Sequence, residues 1–373
     1  MNKRPYSLSK DTPGGAVPYG MRPVGYYGTM KKKLTVAEQI ASLKRHGVAF
    51  EKYSEDKAAA FLESNTYFFK LKAFENNFTK TGDRYNDLDF AYLADLSTID
   101  CRLRELLRTI CLNIEHALKI RFNDLLMQDP NEDGYEVVRA FDTDGRYVFN
   151  GDYKSSSIYH YSPYTDGMIQ KYCSDPAIWN LWEVVSFNDL CKLYSFYLKR
   201  SNLKDNVTHF NKSVRLLRNA AAHNNCLLIG ISEKINLTEY LQNCLKNLFG
   251  LLGRSDMELR SVYSAARKYP LVHDYACTLM AFLILVDSTG IRNSVGEKIK
   301  TFVGRMERYH RYSEMSACPI LTETMQSIEL VSNLTVEYIE LHKDDFMKNK
   351  ILHTRPQPIK TKNPMQQMFE SKK

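Results

Sequence analysis

The sequence predicts an all-α protein, and three observations carry that expectation. Apolar residues recur at spacings of three and four through most of residues 34–342. Ser, Thr or Asp stands before several of these runs, where a side-chain oxygen caps the first free N–H groups of a helix. The longest run, from Asp87 to Met127, keeps one apolar stripe through Ile99, Leu103, Leu106, Ile110, Ile114 and Leu118, too long for any strand. Any strands are expected within residues 129–172.

Residues 1–33, with "TPGGAVPYGMRPVGYYG", are rich in Gly, Pro and Tyr and read as a flexible basic tail. Order begins at Leu34. "LTVAEQIASLKRHG" is a helix with Thr35 as cap, Glu38 completing a capping box and Gly47 ending it; Val36, Ile40 and Leu43 form its apolar face. "SEDKAAAFLESNTYFF" repeats the device from Ser54, with Ala58, Phe61 and Leu62 inward. On the long helix a polar stripe, Arg104, Arg108, Glu115 and Lys119, runs beside the apolar one; such stripes are commonly solvated faces held by weak ion pairs. Residues 129–172 interrupt the helices with Asp, Gly, Ser and many tyrosines, which suit either stacking on bases or packing together in a small β-ribbon. Helices resume at "PAIWNLWEVVSFNDLCKLYSFYL", where Trp179 and Glu183 read as packing contacts. The division expected is a domain over 34–250 with an insertion at 129–172, a further helical region over 251–342, and a second flexible tail over 343–373.

Charge is unevenly placed. Of the net +8, residues 1–33 contribute +6 and residues 343–373 contribute +5, so the body between them is near −3. Basic ends suit sequence-blind phosphate contacts, or serve only solubility. No run approaches the ~18–20 apolar residues of a membrane span, and the N-terminus lacks the apolar core of a secretory signal. The eight cysteines form no CxxC pair and fall mostly in apolar patterns, as reduced buried thiols do. A cytoplasmic protein is expected, with neither metal nor other cofactor and no membrane or DNA partner.

The stretch "VRLLRNAAAHNN", Val214–Asn225, sets Arg218, Asn219 and His223 around three alanines. At ~100° per residue, Asn219 and His223 share a face with Arg215, while Arg218 points elsewhere. The alanines admit a close helix neighbour. RNA cleavage needs a base for the 2′-hydroxyl, an acid for the leaving 5′-oxygen, and positive charge on the phosphorane. Histidine suits the proton transfers and arginine the charge. The nucleophile belongs to the substrate, so a metal is not required.

"RNAAAH" resembles the R-x4–6-H signature of HEPN ribonucleases. Further blocks resemble abortive-infection proteins of the Abi-like (AbiD/AbiF) family, in that family's order over about residues 34–230: "LTVAEQIASLKRHGVAF", "LESNTYFFKLKAFENNF", "CRLRELLRTICLNIEHALKIRF" and "PAIWNLWEVVSFNDLCKLY". The resemblance implies an all-α HEPN-like bundle, here with a tyrosine-rich irregular or β excursion and extra C-terminal helices. It also implies action on RNA in phage defence, a structured non-coding RNA as partner in some relatives, and homodimers whose Arg/His sets face one another. The implied catalytic set is Arg218, Asn219 and His223. Glu115 either orients His223 from the facing helix or pairs with Arg108. Lys212, Arg215, Arg104 and Arg108 are assigned to RNA contact. The chain departs from the family in lacking the second His, and the Arg two residues after it, that follow the motif His, where it reads Asn224-Asn225-Cys226, and in having Asn188 where Gly is common.

Three readings follow: a metal-independent endoribonuclease of toxin or defence type, a non-catalytic module binding a structured RNA, and a helical scaffold whose Arg/Asn/His set only stabilises a dimer.

Overall fold

The computed structural model describes residues 33–156, 158–159, 162–308, 318–343 and 355–359. The chain falls into two units, Met1–Thr35 and Val36–Lys373, and every described helix and strand lies in the second. The fold is mostly helical, 67% helix against 3% strand. Most of residues 1–33 and 343–373, for which flexible tails are expected, lie outside the described residues.

Helices α1 (Val36–Arg45), α2 (Glu55–Ser64) and α3 (Phe68–Ala73) form the entry to the fold. α1 buries Ile40 and Leu43, and α2 buries Ala58 and Leu62. A hairpin follows, β1 (Lys80–Thr81) against β2 (Arg84–Tyr85), with Thr81 opposite Arg84. Its two-residue loop needs a positive φ, supplied by Gly82 at +61°.

The long apolar stripe forms α4 (Phe90–Gln128), capped by Asp89, whose carboxylate accepts from Ala91 N–H at 2.8 Å and also from the Glu51 and Lys52 amides. All six stripe residues from Ile99 to Leu118 are buried. The excursion holds α5 (Glu136–Phe141) and α6 (Asp166–Tyr172) and, among the described residues, no strand. The expectation that strands lie within 129–172 is thus corrected. Backbone N–H groups there are taken by carboxylates rather than by a neighbouring strand: Asp142 accepts from Arg146, Tyr147 and Val148, and Asp133 from Tyr135 and Glu136. Its tyrosines largely pack inward, with Tyr153 and Tyr159 closing a small core of their own beside Ile169 and Cys173.

α7 (Ile178–Leu181) and α8 (Phe187–Arg200) lead to β3 (Leu203–Lys204) and then α9 (Asn211–Ala222). Ser186 caps α8 through the Asp189 N–H. α10 (Glu239–Leu251), capped by Thr238, and α11 (Asp256–Lys268), closed by a Ser255–Glu258 capping box, precede α12 (Pro270–Leu285). Pro270 opens α12, where a missing N–H costs nothing. From Tyr275 to Leu285 every residue of α12 is buried, the mark of a helix enclosed on all sides. It packs against α4, α9, α11 and α14 (Pro319–Leu341), while α13 (Thr289–Arg308) lies against α14 and α4. Helices from 251–342 therefore share the main core with α4 and α9. β4 (Gln357–Pro358) pairs antiparallel with β3, so this part of the expected tail is built onto the fold. Among the described residues no helix is long and apolar enough to cross a membrane.

Candidate functional site

α9 is amphipathic because Ser213, Val214, Leu217 and Ala221 recur at helical spacing, and these are its buried residues. Only the middle alanine of the three faces the core; Ala222 is exposed. On the opposite face lie Lys212, Arg215, Leu216, Asn219 and His223, within about 100° of one another around the helix axis. Arg218 sits on the flank of that face towards α4. Its Nη2 is 3.6 Å from Glu115 Oε2, and its Nη1 lies 3.5 Å from Asn219 Oδ1.

Glu115 is largely covered, at 13% side-chain exposure, and its second neighbour is Lys119 at 3.6 Å. Lys119 in turn donates to the Trp182 carbonyl at 2.6 Å, tying the pair to the segment after α7. Glu115 thus pairs with Arg218 and Lys119, not with His223 and not with Arg108. Cys111, one turn before Glu115, is enclosed where α4 meets α9. Burial pushes its thiol up to about 12, opposed by Arg218 and reinforced by Glu115.

His223 is the last residue in the helical path. Its N–H still bonds the Asn219 carbonyl at 2.9 Å, but α9 ends at Ala222. The termination is a Schellman motif: Asn225 N–H reaches the Ala220 carbonyl at 2.8 Å and Asn224 N–H the Ala221 carbonyl. This motif needs a left-handed residue after the cap, and Asn224 takes it at φ +55°. The His223 side chain is consequently presented at an exposed helix end.

The turn after His223 is braced from α4. Arg104 Nη1 donates to Asn224 Oδ1 at 2.9 Å, and Arg104 Nε donates to Asp100 Oδ2 at 2.9 Å. Asp100 is fully buried, and its Oδ1 accepts from Leu227 N–H at 2.6 Å and Leu228 N–H at 3.0 Å. Burial pushes the Asp100 carboxyl up, against the pull of these two amides and of Arg104. Lys70 adds a bond to the Asn224 carbonyl at 2.8 Å.

The expected site residues therefore separate. Arg218, Asn219 and Glu115 are brought together between α9 and α4; His223, Arg215 and Lys212 share the neighbouring exposed face. Arg108 is exposed on α4. Arg104, expected to contact RNA, is buried at 4% exposure and is spent on Asp100 and Asn224. Its position on the polar stripe misleads because the turn after α9 closes over it. The brace itself, Asp100 with Asn224, escapes sequence reasoning; its one local signal is the Asp100–Arg104 spacing of four.

The segment that holds this arrangement is recognisable. Over residues 60–228 the chain matches the Abi-like protein family. No curated protein and no solved structure matches the chain. The Abi-like segment starts within α2 and ends at Leu228, one of the two residues whose N–H groups Asp100 holds. It contains Glu115, Arg218, Asn219 and His223 together with the whole brace, and it excludes α12 and α13.

Proposed function

We propose that the protein is an endoribonuclease of phage defence, of the abortive-infection type, that cleaves RNA without a metal. The observation that carries this reading is the convergence of Arg218, Asn219 and Glu115 beside an exposed His223 held at a braced helix end. In the proposed reaction the substrate's 2′-oxygen attacks the adjacent phosphorus and its proton passes to a base. The bond to the leaving 5′-oxygen breaks as that oxygen gains a proton, leaving a 2′,3′-cyclic phosphate and a 5′-hydroxyl. His223 serves the proton transfers, Arg218 stabilises the charge that builds on the phosphorane, and Asn219 positions Arg218. Glu115 orients the guanidinium. Lys212, Arg215 and Arg108 neutralise flanking phosphates.

Two copies supply two such sets. Leu216 on α9 and Leu112 on α4, exposed at 41% and 58%, would be covered in a homodimer formed across this face.

A second reading, a non-catalytic protein that binds a structured RNA, is favoured by the engagement of Arg218 with Glu115 at 3.6 Å. One experiment separates them. Removing an acid–base histidine costs on the order of 100- to 10,000-fold in rate, so His223→Ala should lose cleavage far more than affinity. Arg218→Lys should not restore full activity, because an ammonium lacks the forked donor geometry. Cleavage should persist in EDTA and leave cyclic-phosphate ends. Products with 5′-phosphates, or an active His223→Ala chain, refute the mechanism; RNA bound and never cut favours the second reading.

A further inference from the structure

α4 and α13 meet along a seam that opens into a groove of about 480 Å³. Arg102, Glu105 and Thr109 line it from α4, and Lys298, Thr301 and Arg305 from α13. Its floor is apolar, formed by the buried Leu106 and Phe302. Three cations face one carboxylate. That carboxylate is already matched, because Glu105 pairs with Arg102 at 2.8 Å. The excess charge rests on Lys298 and Arg305, which form no ion pair with another described residue. The acid next to Lys298, Glu297, is held by Lys300, which also bonds Glu340 at 2.6 Å on α14. Lys298 and Arg305 are seven residues apart, so they share a face of α13 about two turns, or ~10.5 Å, from each other.

The groove also has a defined relation to the α9 site. Around α4, Arg104, Cys111 and Glu115 face α9 and the turn that follows it, where they meet Asn224, Val214 and Arg218 respectively. Arg102, Glu105 and Thr109 face α13. The exposed Arg108 lies between the two sets. One helix thus carries the candidate reaction site on one flank and, on the other, a groove whose described side chains are in basic excess.

We propose that the α4–α13 groove binds the phosphate backbone of the RNA on which the α9 site acts, with Lys298 and Arg305 as its principal contacts. The inference rests on the proposed function for the identity of the strand, but not for the groove's affinity. An apolar floor with cations at the rim fits a sugar-phosphate strand whose bases remain unread.

The test uses the full chain carrying His223→Ala, so that binding is measured without cleavage, and the anisotropy of a fluorescent single-stranded oligoribonucleotide across a salt series. Lys298→Gln with Arg305→Gln should weaken binding about tenfold or more and lower the log–log salt slope by roughly 1.4, the loss of two phosphate contacts on a single strand. Thr301→Glu, which places a carboxylate in the groove, should weaken binding in the same direction. Unchanged affinity and slope in both variants overturns the proposal, as does absence of RNA binding in the parent chain. If the groove variants lose affinity while the chain with His223 intact cuts nothing, the chemistry fails and the groove stands. If they bind normally while cleavage requires His223, the reverse holds.

Discussion

Replacing Arg104 by methionine removes the guanidinium that joins Asp100 to Asn224 while keeping a long aliphatic side chain in its place. Asp100 is fully buried and Arg104 is 4% exposed, so solvent does little to screen the loss. The Asp100 carboxylate would keep its two backbone donors, Leu227 and Leu228, but lose its countercharge. Removing one member of a buried pair costs about 3–5 kcal/mol, because the remaining charge is left uncompensated. A urea titration followed by far-ultraviolet circular dichroism should show that loss in Arg104→Met. Adding Asp100→Asn should restore about half of it or more, since asparagine still offers an acceptor to the two amides without carrying a charge. The salt dependence of RNA binding should stay that of the parent chain, because a buried guanidinium neutralises no phosphate. A loss below ~1 kcal/mol, the scale of a surface pair, or a double variant as unstable as the sum of the single ones, would refute the brace.

Two further outcomes follow from the same region. Asn224→Ala should be less stable than Asn224→Gly by about 1 kcal/mol, because both lose the acceptor for Arg104 but only alanine resists the left-handed turn; equal denaturation midpoints would count against the Schellman ending. Alkylation by iodoacetamide in mildly alkaline buffer, read by peptide mass spectrometry, should mark the exposed Cys101 in the folded chain. It should leave Cys111, buried and pushed up to about 12, unmodified until denaturant is added.

What the sequence made legible was local. The apolar stripe of α4, its bounds to within three residues, and the helix beneath "VRLLRNAAAH" all follow from the spacing of apolar residues, which acts over a few residues. The failures share one cause. A polar stripe on a long helix looks the same whether water or another part of the chain covers it, so Arg104 passed for surface although the turn after α9 lies over it. The excursion at 129–172 carries turn residues and tyrosines that suit a ribbon, but carboxylates at 133 and 142 satisfy the amides a ribbon would have paired. The site itself was half legible. Arg218, Asn219 and His223 stand in one string, whereas the partners of Arg218 and Asn224 lie more than 100 residues away on α4.

α12 carries a consequence for how such a protein is cut and how it diverges. The Abi-like segment ends at residue 228, yet the helix against which α4 and α9 rest begins at Pro270. A chain stopped after the recognisable segment would expose the apolar sides of both helices to water and to each other's copies, and would collect as aggregate. The part that can be recognised by descent is therefore smaller than the part that can stand alone. A shortened chain would keep its fold only if another apolar rod of similar bulk filled the same slot, whatever the rod's exact sequence.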